Sequence, residues 1–524
     1  MFKGHPKGLI WAALSNMGER FGYYIMNAVL VLFLCSKFGL PDDVAGLIFS
    51  VFYFMIYIMA LPGGVVADKL QNYKGTIAAG LIVMAVGYTM LSIPTTVDPA
   101  NKIGMLVLIC AALLIITIGN GLFKGNLQAI VGQMYDNLEA EAAKKGPEAL
   151  AEAQTKRDPG FQIFYVFINL GGVFAPFVAP NIRKWWLAKS DMIYNSELPA
   201  LCHQYLNDAA NMTETQMANL NQLMATSNGA FDPANMQVAC ESYLQVFNTG
   251  VHYSFIASIA AMLLSFAIFM ITKKMYPNPA KKEKKEVVDY TPEERVAMAK
   301  DIKQRMAGLY AVLGIVIFFW FSFHQNTQSL TIFTRNFVNS DQVAPEVWQF
   351  LNPFLVIVLT PVIMWLFSTP WGRKFSTPRK IALGMGFAAC AYIFLTIFSM
   401  IIGYPSGTAF IAQPADVIAS QKCGAWVLMI TYFFLTVAEL FISPLGLSFV
   451  SKIAPKHLQG ICQGLWLGAT ALGNLIIFLG VRMLNSFSHL WYTWATFAII
   501  CLIAMSVMFG MLKWLEKITA DKQE

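Results

Sequence analysis

Twelve long apolar runs constrain what this 524-residue chain can fold into more than any other feature. They lie at about 8–35, 44–66, 76–94, 103–133, 161–181, 251–272, 306–333, 347–368, 381–403, 424–450, 459–481 and 490–512. A helix that crosses a bilayer needs about 20 apolar residues. Hydrocarbon offers the backbone no hydrogen-bond partner, so each run must close its own bonds, and a helix does so within one segment. The alternating patterns of about ten residues that mark a membrane β-barrel are absent. The expected fold is an all-α polytopic membrane protein. Charged residues make up 13% of the chain, against about 25% in soluble proteins. That excludes a soluble globule, a disordered chain and a nucleic-acid binder. Met1–Lys7 is short and polar. The run after it holds Glu19 and Arg20 and is too long and too polar for a cleaved signal, so it reads as a permanent span.

Lys and Arg set the orientation of such a chain. With the N-terminus inside, 27 of the 37 basic residues fall in inner segments and eight in outer ones, leaving Arg20 and Lys124 buried in spans. Both termini are therefore expected in the cytoplasm, and the net charge of +7 reflects topology rather than an anionic partner. A polar segment at about 184–250 would face outside. It holds the sequon Asn211-Met212-Thr213 and reads either as a small helical cap or as a flexible loop. Cys202 and Cys240 lie in it and could pair on an oxidising side. A basic segment at 273–305 separates six spans from six. Thr291, Pro292 and Glu294 give it a helix start, favouring a surface-lying helix over a plain linker. The domain expectation is a six-helix bundle at 1–272, a cytoplasmic linker at 273–305 and a second bundle at 306–524. This layout suits a repeat-built transporter with its substrate near the midplane. No GxxxxGK[ST] phosphate loop points to ATP, so the expected energy source is an ion gradient or none.

Charges inside a span are costly and default to functional hypotheses. Asn16, Glu19, Arg20, Tyr23 and Asn27 share one helical face, which implies an aqueous cavity or a polar partner helix; a structural ion pair is the plain alternative. Lys124 sits in GNGLFKGN (119–126) and needs a carboxylate, with Glu19 the candidate by chemistry. Gly119, Gly121 and Gly125 allow close helix approach. Tyr165 and Asn169 lie one turn apart and offer neutral hydrogen-bond groups, or interhelical glue. Glu439 reads as the only buried acid of the second half, a site for proton uptake or a protonated structural residue. Ser443 follows it by one turn, and Pro444 should break the helix there. His324 reads as a satisfied polar residue rather than a proton relay, and Trp320 and Trp466 as pocket walls or packing. Asp68, beside Lys69 and Lys74, reads as an ion-paired gate or a helix-end latch opening the loop after the second span.

ERFGYY (19–24), GGVVADKL (63–70), GNGLFKGN (119–126), the Phe161–Tyr165–Asn169–Gly171 pattern, Glu439 with FISPLGLS (441–448), and Gly464 with Trp466 occur in order along the whole chain. In this the chain resembles the proton-dependent oligopeptide transporter (POT/PTR) family of the major facilitator superfamily. The resemblance implies two six-helix bundles and proton-coupled symport of di- and tripeptides by alternating access. It implies that Glu439, with Asn169, takes the peptide amino terminus, that Arg20 and Lys124 take the carboxylate, and that Tyr23 and Tyr24 hold the backbone. Asn27, Tyr165, Trp320, Ser443 and Trp466 complete the expected substrate site, and Glu19 and Glu439 the proton-coupling set. Three positions depart from the family. Asn16 stands for the first Glu of the ExxER motif, Asn27 for a common arginine, and Gly125 for the Pro or Ala after the FK pair. Glu19, Arg20 and Lys124 then sum to +1, and Glu439 restores neutrality. Excess positive charge favours ionised Glu19, which makes Glu439 the better proton acceptor.

The expected partners are a small peptide, protons and the lipid bilayer, without nucleic acid, on a monomer. No cofactor beyond the proton is expected, and the expected location is a bacterial inner membrane. The rival reading is a related transporter for nitrate, an amino acid or a conjugate, or one with altered proton coupling. A sensor, a channel and an enzyme have less support, because the pocket charges are intact, are not arranged in rings, and no nucleophile–base set or metal spacing occurs.

Overall fold

The computed structural model describes residues 4–98, 100–229, 231–277, 292–340, 343–454 and 459–520. Among them twelve helices are long and apolar enough to span a membrane: Gly8–Phe38, Asp42–Leu70, Tyr73–Ser92, Lys102–Ala143, Pro147–Ala188, Pro233–Met275, Ala299–Phe337, Pro345–Ser368, Thr377–Ile402, Trp426–Val450, Ile461–Ser486 and Leu490–Gly510. They are called spans 1–12. Each expected apolar run holds one. Local chemistry ends several of them. Gly39, at φ 59°, closes span 1 with its N–H on the Cys35 carbonyl, a left-handed turn that favours glycine. The Asn72 side chain accepts from the Gly75 N–H and starts span 3.

The helices outrun the apolar runs. GGVVADKL does not open a loop: it is helical to Leu70, in the second part of span 2 after a break at Met59. The helix of span 7 starts at Pro292 and runs unbroken to Phe323. Residues 292–305 are therefore its first turns and not a separate surface helix, supported by an Arg305–Asp301 pair at 2.7 Å one turn apart. The cap proposed at Thr291 lies outside the described residues. Span 10 also runs without a break through Pro444 to Ile453, because membrane helices tolerate a proline where neighbours re-satisfy the freed carbonyl.

By contacts the chain separates into two compact units. The first comprises Met1–Ala280 with two segments from later in the chain, Leu330–Phe354 and Thr408–Ala425. A close seam joins spans 3 and 4. A Cβ on Gly119 would lie 2.7 Å from the Gly80 carbonyl oxygen, and one on Gly80 would lie 2.6 Å from that of Gly119. The expected role of Gly119 is thus met, whereas Gly125 has open space, its nearest neighbour 3.8 Å away.

The segment at 184–250 is a helical cap. Helices Leu198–Asp208 and Glu214–Ser227 precede the start of span 6, and Thr213 and Gln216 form a capping box at the second. The cap docks onto Thr408–Ala425. Asn219 Nδ2 donates to the Gln413 carbonyl at 3.0 Å, the Ala415 N–H donates to Asn219 Oδ1 at 3.0 Å, and Lys422 pairs with Glu197 at 2.6 Å. Cys202 and Cys240 are buried free thiols. A short parallel pairing of Val338–Asn339 with Cys423–Gly424 adds to the same assembly.

The second unit comprises Lys281–Ser329, Leu355–Gly407 and Trp426–Glu524. Tyr392 of span 9 donates to the Ser322 carbonyl of span 7 and stacks on Trp494 of span 12 at 6.2 Å. Gly473 of span 11 lets the span 7 backbone approach, since a Cβ there would meet the Ile317 carbonyl oxygen at 2.7 Å.

Candidate functional site

In the first unit the polar face of span 1 is inward. Asn16, Glu19, Arg20, Tyr23 and Asn27 are all buried, and Tyr24 is half-buried. Neighbouring residues on a helix do not normally face each other, yet the Arg20 guanidinium folds back onto Glu19. Nε donates to Oε2 at 2.5 Å and Nη2 to Oε1 at 2.6 Å. Asn120 Nδ2 of span 4 adds a third bond to Glu19 Oε1 at 2.8 Å. The Arg20 Cζ lies 4.8 Å from the Tyr23 ring centre, and the Tyr23 hydroxyl donates to Asn27 Oδ1 at 3.0 Å.

Lys124 does not pair with Glu19 as its chemistry suggests. The Glu19 carboxylate is already held by Arg20 and Asn120, and Lys124 instead places Nζ 4.4 Å from the centre of the Tyr57 ring. A cation over an aromatic face is attracted by the ring quadrupole. With the acid committed to Arg20, the set Glu19, Arg20 and Lys124 presents one net positive charge. Tyr53 and Tyr57 on span 2, with ring centres 5.6 Å apart, extend the aromatic wall. The sequence reading missed both, although their four-residue spacing marks one helical face. On span 5 Asn169 is buried and its Nδ2 donates to the Tyr165 carbonyl at 3.0 Å, while the Tyr165 ring is exposed.

In the second unit Glu439 and Ser443 are half-buried on successive turns of span 10. Trp320 is buried and stacks on His324 at 5.0 Å. Its indole N–H has no hydrogen-bond partner among the described residues, an open donor that is uncommon in a buried place. Trp466 is buried against Gly446, where a Cβ would overlap its ring.

Two expectations change. Asp68 is exposed and accepts a hydrogen bond from the Tyr73 hydroxyl. It ties the end of span 2 to the start of span 3 as a latch, without an ion pair to Lys69 or Lys74. Glu439 is also not the only buried acid of the second half: Glu346, at the start of span 8, is fully buried and pairs with Arg183 at 2.6 Å. Several cations counted as outer-loop residues belong to the interior of the first unit. Lys37 is buried, 2.6 Å from the Thr95 carbonyl and 2.7 Å from His252 Nε2. Arg335 makes a two-pronged pair with Asp42 at 3.0 and 2.7 Å. These residues lie at run ends, where hydropathy cannot tell a loop charge from a buried one.

A twelve-span helical fold with charged residues buried in apolar helices defines a polytopic carrier. The family model for the POT family (PTR2) matches residues 74–292 and 280–495, and the chain belongs to that family. Among the curated relatives, the dipeptide and tripeptide permease A of Escherichia coli (strain K12) is 25% identical over 482 residues, spanning 90% of this chain and 83% of the permease. The dipeptide and tripeptide permease B of Photorhabdus luminescens is 26% identical over 485 residues, spanning 90% and 86%. Among solved structures, a peptide transporter POT in complex with sulfate superposes with TM-score 0.67 at 21% identity, covering 99% of this chain and 97% of that one. A POT family transporter in complex with 5-aminolevulinic acid gives 0.66 at 19% identity, covering 99% and 98%. These likenesses show the major facilitator fold.

Proposed function

We propose that this chain carries di- and tripeptides across a bacterial inner membrane together with protons, by alternating access, with both termini in the cytoplasm. The observation that carries the reading is the uneven charge of the buried set. Arg20 neutralises Glu19 within one side-chain pair, so Lys124, over the Tyr57 ring, remains as the cation with no carboxylate in salt-bridge range among the described residues. A peptide carboxylate supplies that missing charge. The peptide ammonium group then needs an acid, and Glu439 is the acid of span 10. A ligand that contacts two elements more strongly in one arrangement than in another shifts their equilibrium, as any ligand-driven transition requires. The open Trp320 indole donor suits a peptide carbonyl.

The same pairing supports a reading of where the proton is carried. Glu19 accepts three hydrogen bonds from Arg20 and Asn120, so its carboxylate is already committed to partners. Glu439 is then the residue to be protonated and released in each cycle. The relatives' names, dipeptide and tripeptide permease, support the substrate class. The excess of Lys and Arg in alternate loops supports the orientation.

The test is uptake of a labelled dipeptide into proteoliposomes with and without an imposed inward proton gradient. The wild type should accumulate peptide only with the gradient. Lys124→Ala should lose at least tenfold in uptake, and Glu439→Gln should exchange labelled peptide without concentrating it. Accumulation by both variants at the wild-type level overturns the reading.

A further inference from the structure

We propose that Cys202 and Cys240 form a disulfide that staples the helical cap to the start of span 6. The two cysteines lie on different elements, Cys202 on helix Leu198–Asp208 and Cys240 in the first turns of Met236–Thr272, the main helix of span 6. Both are fully buried, and their thiols are hydrogen-bonded to each other. That bond, and burial after it, hold the Cys202 thiol above its ordinary pKa, so the folded pair is a poor partner for thiols from outside. Other cysteines have other neighbours: Cys35 donates to Asp42 Oδ1 at 3.4 Å, and Cys462 lies 3.8 Å from Met306 Sδ. Metal binding is the second use of paired thiols. His203, next in sequence, is bonded through Nε2 to the Ser36 carbonyl, and among the described residues no group of three or more His, Cys, Asp or Glu could hold an ion. Two thiols in contact without further ligands suit a covalent link.

The inference rests on the proposed orientation, which puts the segment after span 5 on the outer side, where disulfides form and persist. The reaction is thiol–disulfide exchange with a protein thiol oxidase of that compartment. The bond between Cys202 Sγ and Cys240 Sγ forms and the oxidase's own disulfide breaks. The oxidase leaves as a dithiol carrying the two protons, so two electrons pass to it from the cysteines. The pair is sealed in the folded cap, so exchange takes place while the segment is still unfolded. The link closes the chain around helix Glu214–Ser227, which carries Asn219, the residue that docks onto Gln413 and Ala415. Tyr243, one turn beyond Cys240, donates to the Ile193 carbonyl and accepts from the Asn195 N–H, each at 3.0 Å. The same turns of span 6 therefore also hold the chain entering the cap. A cross-link across a loop removes freedom from its opened states and favours the docked one.

The experiment uses the full-length protein, purified from membranes in N-ethylmaleimide to trap free thiols, then denatured and mapped by mass spectrometry with and without reductant. A peptide pair joined through Cys202 and Cys240 is expected before reduction, and both residues should accept a second alkylating reagent only after it. Amide exchange in 198–227 should be about tenfold slower in the oxidised protein than in the reduced protein or in C202S/C240S. Orientation is read separately: T226C, placed in C202S/C240S, should take an impermeant maleimide in intact spheroplasts above the level of C202S/C240S itself. Cys202 and Cys240 trapped as thiols, or joined to other cysteines, overturn the proposal. If T226C is still labelled from outside, the disulfide alone has failed; if it is not, the orientation has failed with it. Equal amide exchange with and without the bond overturns its role as a staple.

Discussion

At the scale of single residues, two buried ion pairs in the first unit differ in how they are satisfied. Glu19 is ringed by donors, whereas Arg183 Nε and Glu346 Oε2 have no partner among the described residues. Desolvating two charges is expensive, and a buried pair offsets that cost only when its remaining groups are bonded. Removing one partner strands the other. Arg183→Ala should therefore destabilise by about 3–5 kcal/mol, and the double change Arg183→Leu with Glu346→Leu should recover most of that loss. Thermal unfolding in detergent measures both, and equal destabilisation by the single and double variants would refute the argument. Glu19 and Arg20 were legible in the sequence because they interrupt an apolar run near its middle. Arg183 and Glu346 were not, because each stands at a run end.

At the scale of elements, the seam between spans 3 and 4 depends on glycine. Gly119→Val would drive its side chain into the Gly80 carbonyl and Met84, and overpacking of this kind costs about 1–3 kcal/mol. Gly125→Val should be nearly neutral, since nothing crowds that position; comparing the two in detergent melts isolates the close approach. The cap offers a second test. His203 is bonded through Nε2 to the Ser36 carbonyl at 2.7 Å. Burial holds its imidazole below the ordinary value, with Lys102 acting in the same sense and the Ser36 bond opposing. An undocked His203 takes up a proton near pH 6.5, while the docked one resists it. Docking is therefore complete above that pH and weakens as pH falls through it. Amide exchange in 198–208, corrected for intrinsic rate, should speed up from pH 7.5 to 5.5, and His203→Gln should abolish the pH dependence. The segment's polar composition left a helical cap and a loose loop equally open; docking onto 408–425 decided between them.

At the scale of the whole molecule, coupling requires that proton and peptide act on one transition. Glu19→Gln keeps an acceptor for Arg20 and removes the negative charge. The set of spans 1 and 4 would then carry two net positive charges, and peptide uptake should fall with apparent affinity changed less than maximal rate. Initial rates across peptide concentrations check this, and an unchanged maximal rate would count against Glu19 in the cycle. Asn16, where the family motif has a second glutamate, leaves this set short of one acid. The ratio of peptide to charge moved, read from reversal potentials in proteoliposomes, is expected to be one proton per peptide, carried by Glu439.

The sequence by itself determined the number of spans, the family and the main buried charges. The spans and the buried charges follow from the cost of placing polar groups in hydrocarbon, a property of each segment alone, and the family from motifs that occur in order along the chain. Only the tertiary structure decided the partners: Glu19 with Arg20 and Asn120 in place of Lys124, Lys124 with Tyr57, Arg183 with Glu346, and the cap with Gln413 and Ala415. Pairing depends on which helices meet and at what depth. Residues 101 positions apart, as Glu19 and Asn120 are, carry no local trace of their meeting.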